Sequence, residues 1–274
     1  RHRASERRGM NLKTLRVHST GLGVQSWVIH LLELEGQIEP YDARIFSDTQ
    51  WEPQSIYDGL DELTNMGVDI TTVTAGDVRD FGKTDRKSTQ TRFAKMPLWF
   101  LGDNEKMNLL RRQCTREYKI EPVERHIRRE IMKLKPRQWW PKDEVHLEVH
   151  LGITTDELGR VAQDSKKKWK TNVFPLIELG MSRDDCLEFL EDRGHIARRS
   201  ACIGCPFRSN AEWLDIQRNP EEWQSAIDFD VQIRDVLGDT PAYLHRSGVP
   251  LSEVNFHGEN NSSLLHECSG MCNT

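Results

Sequence analysis

Short apolar runs that read as strands alternate with runs of helical period through the first half of the chain. This alternation restricts the fold more than any other feature. Leu15 to His18 reads as a strand, Ala43 to Ser47 as a second that ends at Asp48, Val68 to Thr74 as a third and Val145 to Ile153 as a fourth. Between the first two, Trp27, Val28, Leu31 and Leu32 mark one helical face, which Gly36 stops. Pro53 opens a helix to about Met66, at the position where its missing N–H costs nothing, and Asp156 to Gln163 begins another. Strands separated by helices need crossover connections and a mostly parallel sheet. The expected class is α/β, with a doubly wound, mostly parallel sheet.

The last third changes character. Ser182 with Asp185 opens a helix to Gly194, Ser209 with Glu212 fits a capping box, and Asn219-Pro220 starts a helix to about Leu237. The expected organisation is a disordered arm over 1–10, with Met10 as the native start, a nucleotide-binding α/β domain over 11–180, and a helical, cysteine-bearing C-terminal region over 181–274. The balance of 38 basic and 43 acidic residues excludes a globally basic nucleic-acid binder but leaves room for a local patch. No window approaches the roughly 20 apolar residues of a membrane span. Arg1 to Gly9 lack the apolar core of a secretory signal. The expected compartment is the cytoplasm, where thiols stay reduced.

In that compartment the six cysteines point to metal or redox chemistry rather than structural disulfides. Cys202-Ile203-Gly204-Cys205 is a CxxC and Cys268-Ser269-Gly270-Met271-Cys272 a CxxxC, while Cys114 is a distant third element. Soft thiolates of this kind select zinc or iron–sulfur centres. Cys186, alone inside a helical pattern, reads as a small buried hydrophobe. His195 reads as a metal ligand or as the cap of the helix ending at Gly194.

The first strand runs into Ser19-Thr20-Gly21-Leu22-Gly23-Val24-Gln25-Ser26 and then a helix. Such a turn is an anion cradle or an ordinary tight βα turn. As a cradle, its glycines let backbone N–H groups approach phosphate, the helix N-terminus adds about half a positive charge, and Ser19, Thr20 and Ser26 donate hydroxyls. The pattern is neither GxxxxGK[ST] nor GxGxxG.

Several segments, in order, resemble the PP-loop ATP pyrophosphatases of the adenine nucleotide alpha-hydrolase superfamily. The closest likeness is to the PAPS (phosphoadenosine phosphosulfate) reductase-like proteins of phages and mobile elements. The turn over Ser19–Ser26 resembles the PP-loop, and Phe46-Ser47-Asp48-Thr49-Gln50-Trp51-Glu52-Pro53 the second strand with its Asp-Thr-Gly. Cys114 to Pro122 resembles the cysteine–Lys–Val–Glu–Pro segment, Gly152 to Arg160 the strand-end glycine with its downstream arginine, and Phe174 to Asp185 the "Pro-Leu … Trp-Thr-x-x-Asp" stretch. Ser200 to Cys205 resembles the cluster CxxC, and Glu267-Cys268-Ser269-Gly270 the C-terminal Glu-Cys-Gly. The sequence departs from the family where Gln25 replaces the acid of the loop, Gln113 precedes Cys114, and Ser269 is inserted.

The resemblance implies ATP or another adenine nucleotide held by Ser19, Thr20, Gly21, Gly23, Val24, Gln25, Ser26 and Asp48. It also implies Mg²⁺ on the phosphates and a 4Fe–4S cluster on Cys114, Cys202, Cys205 and a tail cysteine, Cys272. Asp48 would orient the Mg²⁺, or cap the Pro53 helix instead. Arg160 and Lys166 to Lys168 would neutralise the leaving pyrophosphate, the lysines being otherwise a solvated face. Cys268 would be the tail nucleophile, resolved by Cys272, or either of the two a cluster ligand. The leading expectation is adenylation of an acceptor followed by sulfur transfer to a nucleic acid or nucleotide. The alternatives are an APS/PAPS reductase with Cys268 attacking sulfur, and a zinc-bearing nucleotide- or nucleic-acid-binding protein without catalysis. Expected partners are a sulfur donor protein or thioredoxin, with no membrane and with a homodimer as one arrangement. The basic stretch Arg111 to Arg137, followed by Trp139-Trp140, reads as a nucleic-acid contact or as a salt-bridged surface helix with core tryptophans. His245-Arg246-Ser247 reads as a phosphate contact or a plain loop.

Overall fold

The computed structural model describes residues 12–80, 96–103, 105–163 and 167–257. Five parallel strands form the main sheet: β1 (Lys13–Thr20), β2 (Ala43–Asp48), β3 (Thr71–Thr74), β6 (Val145–His150) and β7 (Lys170–Val173), in the order β3-β2-β1-β6-β7. The chain moves outward from β1 in one direction and from β6 in the other. A topological switch therefore lies between β1 and β6, and in open α/β sheets the crevice at the carboxyl ends of such a pair is where ligands bind.

Helices cover both faces. On one face α1 (Val24–Leu34), α2 (Gln54–Asn65), α4 (Pro175–Glu178) and α5 (Arg183–Glu191) pack around Trp27, Ile56, Leu63, Leu176 and Leu190. On the other face a helical segment packs Val123 and Ile127 against Leu15, Val17, Ile45 and Val149. It is built from a π-helical turn (Thr115–Ile120), α3 (Glu121–His126) and a second π-helical stretch (Ile127–Ile131). The parity of the strand side chains follows: Val17 faces one layer and His18 the other.

The single apolar face expected for α1 understates its burial. Every residue from Val24 to Leu32 is buried, because α1 is enclosed by the sheet, by α5 and by the chain segment around Arg198. The helix expected over Asp156–Gln163 is a 3-10 helix, Thr155–Gln163, interrupted at Glu157. Both expected capping boxes, Ser182 with Asp185 and Ser209 with Glu212, are formed.

A second core joins distant parts of the chain. The three-stranded antiparallel sheet β5-β4-β8 pairs β4 (Trp99–Leu101) with β5 (Met107–Leu109) and with β8 (Ala242–Tyr243). With α6 (Asn210–Gln217) and α7 (Pro220–Gln232) it packs Trp51, Met96, Leu98 and Tyr118 against Trp213, Phe229 and Phe256. Both cores draw residues from each side of residue 180. Among the described residues no helix is long and apolar enough to cross a membrane.

Beneath the first strand, three histidines share one buried volume. His18 and His150 are register partners on β1 and β6, and His30 lies 4.5 Å from His18 between ring centroids. Both nitrogens of His18 lack a hydrogen-bond partner, while His30 Nε2 contacts Thr20 Oγ1 at 3.1 Å. Burial first, then neighbouring His30, His150 and Arg44, hold the His18 imidazole well below its ordinary value. Burial and Arg44 push His30 from 6.5 down to about 3. The fold thus keeps both rings neutral where the unfolded chain would protonate them. Their full contribution is present above pH 6.5 and is lost as pH falls below it, for His30 down to about 3. We expect urea midpoints to fall between pH 7 and 5, with up to about 1.4 kcal/mol lost per pH unit for each histidine. His18→Leu should remove its share of that slope, and a midpoint flat over the range would contradict this reading.

Candidate functional site

The turn after β1 is tightly built. Gly21 N–H donates to Ser26 Oγ at 3.2 Å and Leu22 N–H to Thr20 Oγ1 at 3.2 Å. Leu22 adopts a left-handed φ of 60° while fully buried, and Gln50, just after β2, has a φ of 58°. Backbone strain of this sort persists only where surrounding structure enforces it, and here it gathers at the carboxyl edge of the sheet. Every residue from Ser19 to Ser26 is buried. The α1 N-terminus is capped from outside its own segment, with Val24 N–H donating to the Arg198 carbonyl at 3.0 Å. The Gln25 and Ser26 N–H groups have no acceptor within the helix, as in any first turn.

Two glycines permit this closeness. A Cβ on Gly23 would stand 2.9 Å from Ser200 Cβ, and one on Gly152, after β6, would stand 3.0 Å from both Gln25 Cβ and Ser26 N. The strand-end glycine therefore brings the β6 loop onto the first turn of α1, at the switch point.

Gln25 lies within reach of a carboxylate. Its Nε2 donates to Glu157 Oε2 at 3.4 Å, Thr154 Oγ1 donates to the same oxygen at 3.4 Å, and Arg160 is bonded to Glu157 Oε1. Arg160 thus reaches the switch point through Glu157, a residue the sequence reading did not single out. Asp48 is partly committed to its own loop: Oδ1 accepts from Gln50 N–H at 2.7 Å and from Tyr57 O–H at 3.0 Å. It shapes the turn that leads to α2.

Cys114, Cys202 and Cys205 line one small, mostly enclosed cavity of about 20 Å³, together with Thr49, Arg112 and Lys119. The three thiols surround this space without converging on a point. Among the described residues no three His, Cys, Asp or Glu side chains are placed to share a metal ion. Cys202 Sγ lies 3.2 Å from Thr49 Oγ1 and 3.7 Å from Glu52 Oε1.

The surroundings of these thiols are cationic. Arg208 is buried and donates to the carbonyls of Ala201, Cys202 and Ile203 at 2.9–3.0 Å. Burial pushes its guanidinium down to about 10, opposed by Cys205, Cys202 and Glu52, so it stays charged at neutral pH. Lys119 is buried beside Glu52, with Nζ to Oε1 at 3.5 Å. Glu52 Oε2 has no hydrogen-bond partner despite its burial. Lys119, Arg208 and Glu52 thus stand buried beside the thiols. Thiols are soft donors of the kind that hold zinc or iron–sulfur centres, and the space between these three has room for about one water. Glu52 and Lys119 sit inside motifs already singled out, and Arg208 follows Cys205 by three residues, so proximity to a motif was the available signal.

The remaining expectations divide. Cys268 and Cys272 lie outside the described residues, as do Lys166 and the arm over 1–10. Cys186 is fully buried, and burial pushes its thiol up to about 12, which suits a hydrophobe and not a nucleophile. His195 Nδ1 pairs with Glu62 at 3.1 Å and its N–H caps Leu190. Lys167 is bonded to Glu124. His245 is buried against Asn210 and Ser247, and burial pushes it down to about 4. The basic stretch is split: Lys119 and Arg112 turn into the thiol cavity, whereas Arg128 and Arg137 border a groove beside Trp139. No protein-family model and no curated protein matches this chain.

The CxxC turn is shaped by Trp51. Ile203 N–H donates to the Trp51 carbonyl at 2.9 Å, and a Cβ on Gly204 would collide with the Trp51 ring. Gly204→Ala is expected to cost about 1–3 kcal/mol, read from urea midpoints, and to raise the reactivity of the cavity thiols toward a disulfide reagent. Gly159→Ala, whose Cβ would meet nothing within 4 Å, should leave both unchanged.

Proposed function

We propose that the chain is an ATP-dependent adenylating enzyme of the PP-loop, PAPS reductase-like type that carries a 4Fe–4S cluster and transfers sulfur to a nucleic acid or nucleotide. One observation carries the reading. Ser200 packs on Gly23 of the phosphate-type turn, and two residues later Cys202 enters the thiol cavity, at most about 7 Å further along the chain. A nucleotide at the turn and a cluster between the thiols would therefore be neighbours.

The N–H groups of Gly23, Gln25 and Ser26 would bind phosphate at the positive end of α1. Arg160, braced by Glu157, would meet the charge that grows on the leaving pyrophosphate. Asp48 is the carboxylate that would meet Mg²⁺. An acceptor oxygen attacks the α-phosphorus, the bond to the β-phosphate oxygen breaks, pyrophosphate leaves, and the acceptor proton passes to solvent. Hydrosulfide then displaces AMP, so carbon–oxygen is exchanged for carbon–sulfur with no change in oxidation state.

Cys114, Cys202 and Cys205 would hold the cluster, with a tail cysteine, Cys272 or Cys268, as the fourth ligand. The cluster supplies soft iron suited to binding sulfur. Lys119 and Arg208 balance its negative charge.

Protein purified without oxygen should contain iron and acid-labile sulfide in equal amounts, and should release pyrophosphate from ATP when an acceptor is present. Cys202→Ser should lose the iron and keep ATP binding. Stoichiometric zinc without pyrophosphate release would favour a non-catalytic scaffold. Sulfite release from APS or PAPS with thioredoxin would favour the reductase.

A further inference from the structure

The groove beside Trp139 lies at the end of the sheet opposite the phosphate-type turn. Trp140 closes its floor, donating its indole N–H to the Val145 carbonyl at 2.7 Å, at the first residue of β6. Trp169, one residue before β7, stacks on Trp140 with centroids 4.6 Å apart and planes 20° from parallel. The turn over Ser19–Ser26 meets β6 at its other end, five strand steps or about 17 Å away.

The groove is open, about 580 Å³, and combines aromatic faces with cations. Trp139 is 91% exposed, far more than any other large apolar side chain among the described residues. Arg128, Arg137 and Lys142 share the lining with the three tryptophans, and none of the lining side chains is acidic. Lys167 adds a cation over the Trp169 ring at 5.3 Å. The exposed indole counts here because it stands beside the cations of the same groove.

The loop that presents Trp139 is not slack. Lys135 N–H donates to Gln138 Oε1 at 2.8 Å, Gln138 N–H to the Lys135 carbonyl at 3.0 Å, and Arg128 to the Gln138 carbonyl at 2.6 Å. Arg137 is held at a left-handed φ of 63°, a conformation a non-glycine residue adopts only when constrained. A flat aromatic surface fixed beforehand loses little entropy when it is covered.

We infer that this groove binds single-stranded nucleic acid, with a base stacked on Trp139 and the flanking phosphates met by Arg137, Lys142 and Arg128. Exposed ring faces beside cations are what single strands need, since every base has a π face and every linkage a charge. A duplex hides its bases from such a surface, and an acidic peptide would match the charge but leave the indole uncovered. The groove would anchor the strand at a distance from the chemistry, and the reacting nucleotide would lie elsewhere along it. The inference rests on the function proposed above for what the strand is used for, and not for the binding itself.

The test uses the full chain and a fluorescein-labelled thymidine 20-mer, followed by anisotropy from low salt to about 150 mM. The single strand should bind more tightly than a duplex of the same length. Trp139→Ala should weaken binding at least about 5-fold, the low end of stacking one base, while Trp139→Phe retains most of it. Arg137→Gln with Lys142→Gln should reduce the slope of log affinity against log salt by about 1.4, the value for two phosphates. Trp139→Ala should melt like the wild type, since its ring is exposed. Unchanged binding by Trp139→Ala, equal binding of the duplex, or equal competition by polyglutamate would each overturn the inference. Pyrophosphate release measured on the same preparations fails or succeeds independently, so loss of the enzymatic reading and loss of the groove are separable.

Discussion

The contact between Arg198–Ser200 and the first turn of α1 determines where everything else at the carboxyl edge can lie. The Arg198 carbonyl takes the first free amide of α1, and Ser200 occupies the space that a side chain at position 23 would need. The Arg198 side chain anchors the segment from its other side, bonded to Glu62 at 2.6 Å and lying over Trp27 at 4.5 Å. With both ends held, the following residues have one course, past Trp51 and into the thiol cavity. A single strand of irregular chain thus couples the geometry of the βα turn to that of the CxxC.

That coupling gives the buried charges their meaning. Arg208 is tied to three carbonyls of the CxxC turn, Lys119 arrives from the π-helical turn on the far face of the sheet, and Glu52 comes from the loop after β2. Three separate elements bring charged residue types to one apolar volume, where burial is costly unless the groups are paired and hydrogen-bonded. They lie beside Cys202 and Cys205.

Legibility in the sequence followed range. The β1–α1–β2–α2–β3 series was readable because periodicity and start signals are local, and both capping boxes were readable because their partners are three residues apart. The strands β4, β5, β7 and β8 were missed because two to four residues show no clear period, and the pairing of β4 with β8 joins Phe100 to Ala242. At the site, Gly23, Gly152 and the cysteines stood out by type and spacing. Glu157 and Arg208 did not, since each matters only through partners that folding supplies. The histidines show the same limit. His18, His30 and His150 are unremarkable apart, and only strand register with helix packing makes them one neutral cluster.

The pairing of β8 with β4 also has a consequence for biosynthesis. Sheet strands that emerge early from the ribosome can find their helices at once, but β4 has no outer neighbour until residues near 242 have been made. The wall of the thiol chamber contributed by Met96 and Pro97 therefore stays unsealed while the two thiols of the CxxC are already exposed. Closure of the small sheet is therefore a late step, and the cavity beside the CxxC is completed with it.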